Sequence, residues 1–216
     1  MKIIFCLPGR QFSDLWVQSW NDTLMTMSKA GHTWAYSMAY DPVVYFARNR
    51  VLGGSNIAGK NQPPFQGKAA YDYMVWIDSD MVWKGQDILN LIKMNKPVAS
   101  ACYLMQNGTH YPLVEKLDFN KLATDGTFSF MSKVDILGKT HPFTVSYAGF
   151  GLLVVQHGVF ESMEYPWFRP RWVHHDNFTD FTSEDVSFCW TAQENGFDIW
   201  VDPNIQVGHE KMVVLR

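Results

Sequence analysis

Residues 73–77 read Y-M-V-W-I, five apolar or aromatic residues in a row, and run straight into aspartates at 78 and 80. Nothing else in the chain constrains the fold as tightly. Successive side chains of a strand point to opposite faces, so an uninterrupted apolar run requires cover on both. That is the situation of an inner strand in a mostly parallel sheet with helices on either side. The C-terminal end of such a strand is where open α/β sheets bind ligands. Asp78 and Asp80 stand there, and two hard oxygen donors suit magnesium or manganese holding a phosphate-bearing substrate. Asp-Ser-Asp is also an ordinary turn sequence, because both residue types hydrogen-bond their own backbone. The D-x-D letters alone do not separate these readings.

The flanking pattern extends the framework. Residues 2–7 form a short apolar strand halted by Pro8-Gly9-Arg10, and Ser13 can N-cap a helix running to about Lys29. Residues 33–40 read as a second strand, which makes a β-α-β start. A helix from Asp41-Pro42 to about Leu52 carries Arg48 and Asn49, and residues 53–67, rich in Gly, Asn, Gln and Pro, read as a surface loop. A short helix holding Ile88, Leu91 and Ile92 precedes a strand over residues 97–103. Residues 111–136 look like antiparallel hairpin material with a turn at Asp125-Gly126. Further on come an apolar stretch around Gly149-Phe150-Gly151, a helix over residues 158–163 and a loop over residues 165–181 dense in Trp, Phe, His and Arg. A helix over residues 184–195 follows, then a strand through Phe197, Ile199 and Val201, which Asp202-Pro203 turns toward Val207-Gly208-His209.

At 216 residues, 47% hydrophobic and 15% aromatic, the chain can bury a full core as one domain. A formal net charge of −3 with no basic run gives no electrostatic argument for nucleic acid or an anionic membrane, and no nucleic-acid partner is expected. Cys6, Cys102 and Cys189 lie far apart in apolar settings and read as buried free thiols of a reducing compartment. The first apolar run is too short for a signal-peptide core, and no stretch approaches membrane-spanning length. The N-x-T sequons at Asn21, Asn107 and Asn177 are then chance matches, and a cytoplasmic location is expected.

Three further segments carry chemistry. Thr182-Ser183-Glu184-Asp185 opens a helix, where it approximates a capping box and its acids suit the helix dipole, yet it also presents two carboxylates together. His209 follows a strand and a glycine, a place where a satisfied side chain and a ligand are both reasonable. Gly149 and Gly151 mark either a bulge or a close backbone approach.

Taken in order, these segments resemble the nucleotide-sugar-dependent glycosyltransferases of the GT-A fold, specifically the inverting, family-2-like branch. The matching elements are Pro8-Gly9-Arg10, A-R-N-R at residues 47–50, I-D-S-D at 77–80, A-G-F-G at 148–151 and P-W-F at 166–168. S-E-D-V-S-F-C at 183–189 and G-F-D-I-W-V-D-P-N-I-Q-V-G-H at 196–209 complete the set. The resemblance implies a Rossmann-like α/β fold with a mixed, mostly parallel central sheet flanked by helices and a small antiparallel hairpin. Residues 1–103 would form the nucleotide-binding half and residues 104–216 the acceptor-binding and catalytic half.

It also implies the chemistry. A single sugar passes from a nucleoside diphosphate sugar, UDP-linked by preference, to a hydroxyl of a glycan, glycolipid or protein, with inversion. Manganese or magnesium stabilises the diphosphate that leaves. Asp80 and His209 are its expected ligands, with Asp78 near the ribose and within reach of the metal. Asp185 is the expected general base and Glu184 its neighbour that positions the acceptor. Pro8, Gly9, Arg10, Arg48 and Asn49 would face the nucleotide or its diphosphate, although Arg48 could equally make a surface ion pair. Gly149 and Gly151 would let the sugar pass close to the backbone, and Trp167, Phe168, Trp172, His174 and His175 would form an acceptor lid. The His174-His175-Asp176 cluster is not expected to hold a metal. The chain lacks the Q-x-x-R-W motif of processive relatives. Two other functions remain open: a sugar nucleotidyltransferase, for which Gly9-Arg10 is only a fragment of the phosphate loop needed, and a non-catalytic nucleotide- or carbohydrate-binding module.

Overall fold

A computed structural model describes residues 1–175 and 178–212. Asp176, the last member of the His-His-Asp cluster, and the sequon at Asn177 lie outside the described residues. The first half alternates strands and helices: β1 (Lys2–Pro8), α1 (Asp14–Lys29), β2 (Thr33–Ala39), α2 (Val44–Val51), β3 (Tyr73–Ile77), β4 (Met81–Val82), α3 (Gly85–Lys93) and β5 (Val98–Cys102). The second half has shorter pieces: β6 (Leu113–Val114), α4 (Phe119–Asp125), α5 (Lys133–Leu137), β7 (Phe143–Val145), β8 (Tyr147–Ala148) and β9 (Leu152–Gln156). The hairpin β10 (Trp172–His175) and β11 (Phe178–Phe181), then α6 (Glu184–Glu194), β12 (Ile199–Gln206) and β13 (Gly208–His209), complete it.

Seven strands form one sheet in the order β2-β1-β3-β9-β5-β12-β7. β1 pairs in parallel with β2 and β3, and β5 with β12, while β9 and β7 run the other way. β3 is buried at all five positions, as its composition requires, between parallel β1 and antiparallel β9. Alternation divides its side chains between two apolar layers. Tyr73, Val75 and Ile77 join Ile3, Phe5 and Leu7 of β1 against α1 and α3, with Trp16, Met27, Ile88 and Leu91. Met74 and Trp76 join Ile4 and Cys6 on the other face, with Val51 of α2 and Phe188 of α6. The result is a helix–sheet–helix sandwich.

Ser13 caps α1 as expected, its hydroxyl accepting from the Trp16 amide at 3.1 Å. α1 also carries polar groups that anchor the chain after β4. Trp83 donates its amide to Ser19 Oγ and its indole to Thr23 Oγ1, and the Gly85 amide reaches Asp22. α2 begins three residues later than its sequence suggests, because the Asp41 carboxylate accepts the Val43 amide and holds an Asx turn first. Cys6, Cys102 and Cys189 are all buried free thiols.

Other expectations are corrected. Residues 111–136 do not make a hairpin; they hold β6, α4 and α5. Asp118 caps α4 and Ser132 with Asp135 forms a capping box for α5, so local side chains recruit both segments to helix. The Asp125-Gly126 signal is a left-handed helix terminus, Gly126 at φ 71°, and not a hairpin turn. The helix expected over residues 158–163 is a single 3-10 turn, Phe160–Ser162. The loop over residues 165–181 contains the hairpin β10–β11, with Trp172 opposite Phe181. β12 continues past Asp202-Pro203 to Gln206, absorbing the proline by a register shift against β5 between Val201 and Gln206. Among the described residues no helix is long and apolar enough to cross a membrane.

Candidate active site

The carboxyl ends of β1 and β3, the start of α6 and a short strap over residues 207–211 meet at one edge of the sheet. Gly9 leaves β1 so close to Ser79 that a Cβ there would lie 2.9 Å from the Ser79 Cβ, which is why the strand ends in glycine. Pro8 is buried beside Ala39, and the Arg10 guanidinium lies 4.4 Å from the centre of the Tyr40 ring. Asp78 donates its amide to the Gly151 carbonyl, and its own carbonyl accepts the Trp16 indole, so α1 and the Gly-Phe-Gly segment fix the strand end from two sides.

The dominant feature is a buried arginine. Arg48 is only 3% exposed and serves two acids far away in sequence. Its Nη1 and Nη2 stand 3.1 and 3.2 Å from the two oxygens of Asp78, and its Nε donates to Glu184 at 3.1 Å. The guanidinium lies 4.8 Å from the Phe150 ring centre. Of the two expectations for Arg48, a nucleotide contact or a surface ion pair, the second is corrected: the ion pair is internal. Burial favours the neutral forms of all three groups, but the facing carboxylates hold Arg48 firmly charged. Burial raises Asp78 above its ordinary value despite the pull of Arg48. Glu184 is also raised, by burial first and then by the adjacent Asp185 charge. Asn49, the next residue, is buried with its amide donating to the Tyr45 carbonyl.

Asp185 is held from both sides. Tyr147 donates to Oδ2 at 2.8 Å, while the Ser183 hydroxyl and the Val186 amide reach Oδ1 at 2.5 and 2.9 Å. The expected Thr182–Asp185 capping box is absent. Ser183 is the N-cap residue, with its hydroxyl turned to Asp185, and Thr182 faces Ser187 and the Arg171 amide. Three donors orient Asp185, one of them a first-turn amide of its own helix.

Asp80 faces the strap. β13 pairs with β4, His209 opposite Met81, and the Glu210 amide donates to the Asp80 carbonyl at 2.8 Å. His209 Nε2 lies 3.2 Å and Lys211 Nζ 2.6 Å from the same oxygen, Asp80 Oδ2. Burial alone would raise Asp80, but the hydrogen bonds and charges of His209 and Lys211 outweigh it and hold the carboxyl at about 2. His209 Nδ1 is 2.7 Å from the Leu104 carbonyl. A carbonyl only accepts, so Nδ1 carries the hydrogen, and Nε2 is the ring nitrogen that faces Asp80 and would be free to bind a cation set between them. Lone pairs of an imidazole and a carboxylate converging on one point suit a divalent cation. The pair thus fits one side of a metal site. Among the described residues no group of three or more His, Cys, Asp or Glu is placed to hold an ion, so further ligands would have to come from substrate or water.

The glycines have a local explanation. A Cβ on Gly149 would fall 2.2 Å from the Tyr103 hydroxyl, and one on Gly151 would meet the Tyr103 ring at 2.6 Å and Met81 Sδ at 2.8 Å. Tyr103 fills this space, accepts the Gly151 amide and packs edge-on against the His209 ring, 5.1 Å between centres. The proposed lid divides. Trp167 and Phe168 are core residues, Phe168 stacked on Phe188, whereas Trp172 is 66% exposed on β10 and lies parallel to His174. Sequence reading missed Tyr147, Tyr103 and Lys211. Only Lys211 had a signal, its place two residues beyond His209.

No family model matches the chain, and no curated protein matches it. Solved structures do. The crystal structure of A197 from STIV aligns over 100% of this chain and 97% of its own, with 14% identity and a TM-score of 0.54. The crystal structure of GalNAc-T7 with UDP, GalNAc and Mn2+ aligns over 98% of this chain at 8% identity and a TM-score of 0.53, and this chain spans 43% of that one. At these identities the likeness shows the fold alone, a GT-A-like mixed α/β arrangement.

Proposed function

We propose that this protein is a metal-dependent glycosyltransferase. It moves one sugar from a nucleoside diphosphate sugar, UDP-linked by preference, to a hydroxyl of a glycan, glycolipid or protein, with inversion. The observation that carries the reading is the convergence of Asp78, Asp80, Glu184, Asp185 and His209 at the carboxyl edge of the sheet. A fold shared with a structure that holds UDP and Mn2+ supports the nucleotide and metal classes.

In this reading residues 1–103 hold the nucleotide and residues 104–216 the acceptor. The end of β1, with Pro8, Gly9 and Arg10, receives the base and ribose beside Asp78. Asp80 and His209 would hold Mn2+ or Mg2+, with Asp78 close by; the mixed oxygen and nitrogen donors would favour manganese. A cation held there would supply Lewis-acid stabilisation for the departing diphosphate. Asp185 takes the proton of the acceptor hydroxyl as its oxygen bonds to the anomeric carbon and the bond from that carbon to the diphosphate breaks. Tyr147, Ser183 and the Val186 amide keep the carboxylate aimed during that transfer. Glu184, locked to Arg48, positions rather than reacts.

The test separates base from metal site. Asp185→Asn should lower transfer by about 10²–10⁴-fold while binding of UDP with Mn2+ persists. Asp80→Ala should lose metal-dependent UDP binding, read by calorimetry, together with transfer. Full transfer by Asp185→Asn would remove the proposed base.

A further inference from the structure

The strap carries one cation that the reaction above leaves unused. β13 ends at His209, and the irregular residues after it bring Lys211 back beside it: both side chains reach Asp80, while Glu210 between them accepts the Ser13 hydroxyl at 2.5 Å. Lys211 and His209 converge on a single oxygen of Asp80. A divalent cation bound to that oxygen and to His209 Nε2 meets the Lys211 ammonium at close quarters, and like charges so near repel strongly. The two cannot share the carboxylate on equal terms.

The backbone keeps the displaced ammonium nearby. The pairing of Gly208 with Val82 and of His209 with Met81, and the Glu210 amide on the Asp80 carbonyl, pin the strap immediately before Lys211. The lysine stem is flexible and its head is a compact charge with three donors, suited to phosphate oxygens. Its surroundings are acidic: Asp78, Asp80, Glu184 and Asp185 occupy the same edge, and Arg48 is already committed to two of them.

We propose that Lys211 binds the diphosphate of the donor, and that its ion pair with Asp80 is the resting position from which the metal releases it. The proposal rests on the glycosyltransferase reading of the site. In the resting protein the ammonium neutralises Asp80. With metal on Asp80 and His209, the ammonium turns to the diphosphate and shares the charge that builds on it as the sugar leaves.

The experiment titrates wild type, Lys211→Met and Lys211→Arg with Mn2+ alone and then with UDP at saturating Mn2+, by calorimetry. Lys211→Met is expected to bind Mn2+ alone about tenfold more tightly, because a competitor is gone, and UDP about tenfold more weakly. Lys211→Arg should retain most of the UDP affinity. Unchanged affinities in Lys211→Met, with wild type binding both ligands, would overturn the role of Lys211 and leave the glycosyltransferase reading standing. Tighter Mn2+ binding with unchanged UDP affinity would equally overturn the diphosphate contact. A wild type that binds neither Mn2+ nor UDP would bring down the parent reading and this proposal together.

Discussion

Arg48 shows how much one side chain can carry. It is buried and answers Asp78 and Glu184 at once, with Asp185 near enough for its charge to act on the guanidinium. Removing it leaves several carboxylates facing one another with no counter-ion. Arg48→Met should therefore cost about 3–5 kcal/mol of stability, measured by urea denaturation. A loss below about 1 kcal/mol would mean that water already screens the cluster. Asp80 makes a pH prediction. Its carboxyl is held at about 2 against an ordinary 3.8, so its contribution is present above the ordinary value and lost as pH falls toward 2. Asp78 and Glu184 are raised, and their contribution has the opposite sign, falling away as pH rises through their folded values. Comparison with Asp80→Asn isolates the first effect. Between about pH 4 and pH 2 the melting temperature of the wild type should drop more steeply than that of the variant; parallel curves would refute the ion pair. The acids themselves were legible in the sequence, because each ends a strand or opens a helix. Their shared partner was not. Arg48 is 30 residues from Asp78 and 136 from Glu184, and helical spacing carries no information over such separations.

Among the elements, the parts with strong periodicity or composition were readable and those set by local capping were not. β1, α1, β2, β3 and α6 stand where the sequence put them; the continuous apolar runs of β1 and β3 are buried on both faces, whereas β2 is a largely exposed edge strand. Residues 111–136 misled because Asp125-Gly126 is equally at home in a hairpin and at a helix end; Asp118 and Ser132, with their caps, decide it. The docking of α1 gives a test at this scale. Thr23→Val removes the acceptor of the buried Trp83 indole and should cost about 1–3 kcal/mol by thermal or urea denaturation. Gly151→Ala should destabilise by a similar amount, about 1–3 kcal/mol, because the new methyl meets the Tyr103 ring and Met81. Wild-type stability in either variant would show that the neighbouring elements give way easily.

At the scale of the whole molecule, segments from both halves of the chain build one edge. The order of motifs along the sequence anticipated that gathering, while the contacts that hold it, from Arg48 to Glu184 and from Lys211 to Asp80, could be seen only once the sheet brought them together. Ligand binding there should stabilise the entire fold. With Mn2+, UDP at about a hundred times its Kd should raise the melting temperature by about 5–10 °C, and Asp80→Ala should abolish the shift. An equal shift in Asp80→Ala would put the nucleotide elsewhere. The single guanidinium between Asp78 and Glu184 has a last consequence. Any molecule that draws it toward the strand slackens its grip on the helix, one residue from Asp185. In the proposed reaction, occupancy beside Asp78 is then sensed next to Asp185 through a shift of side chains, with the main chain standing still.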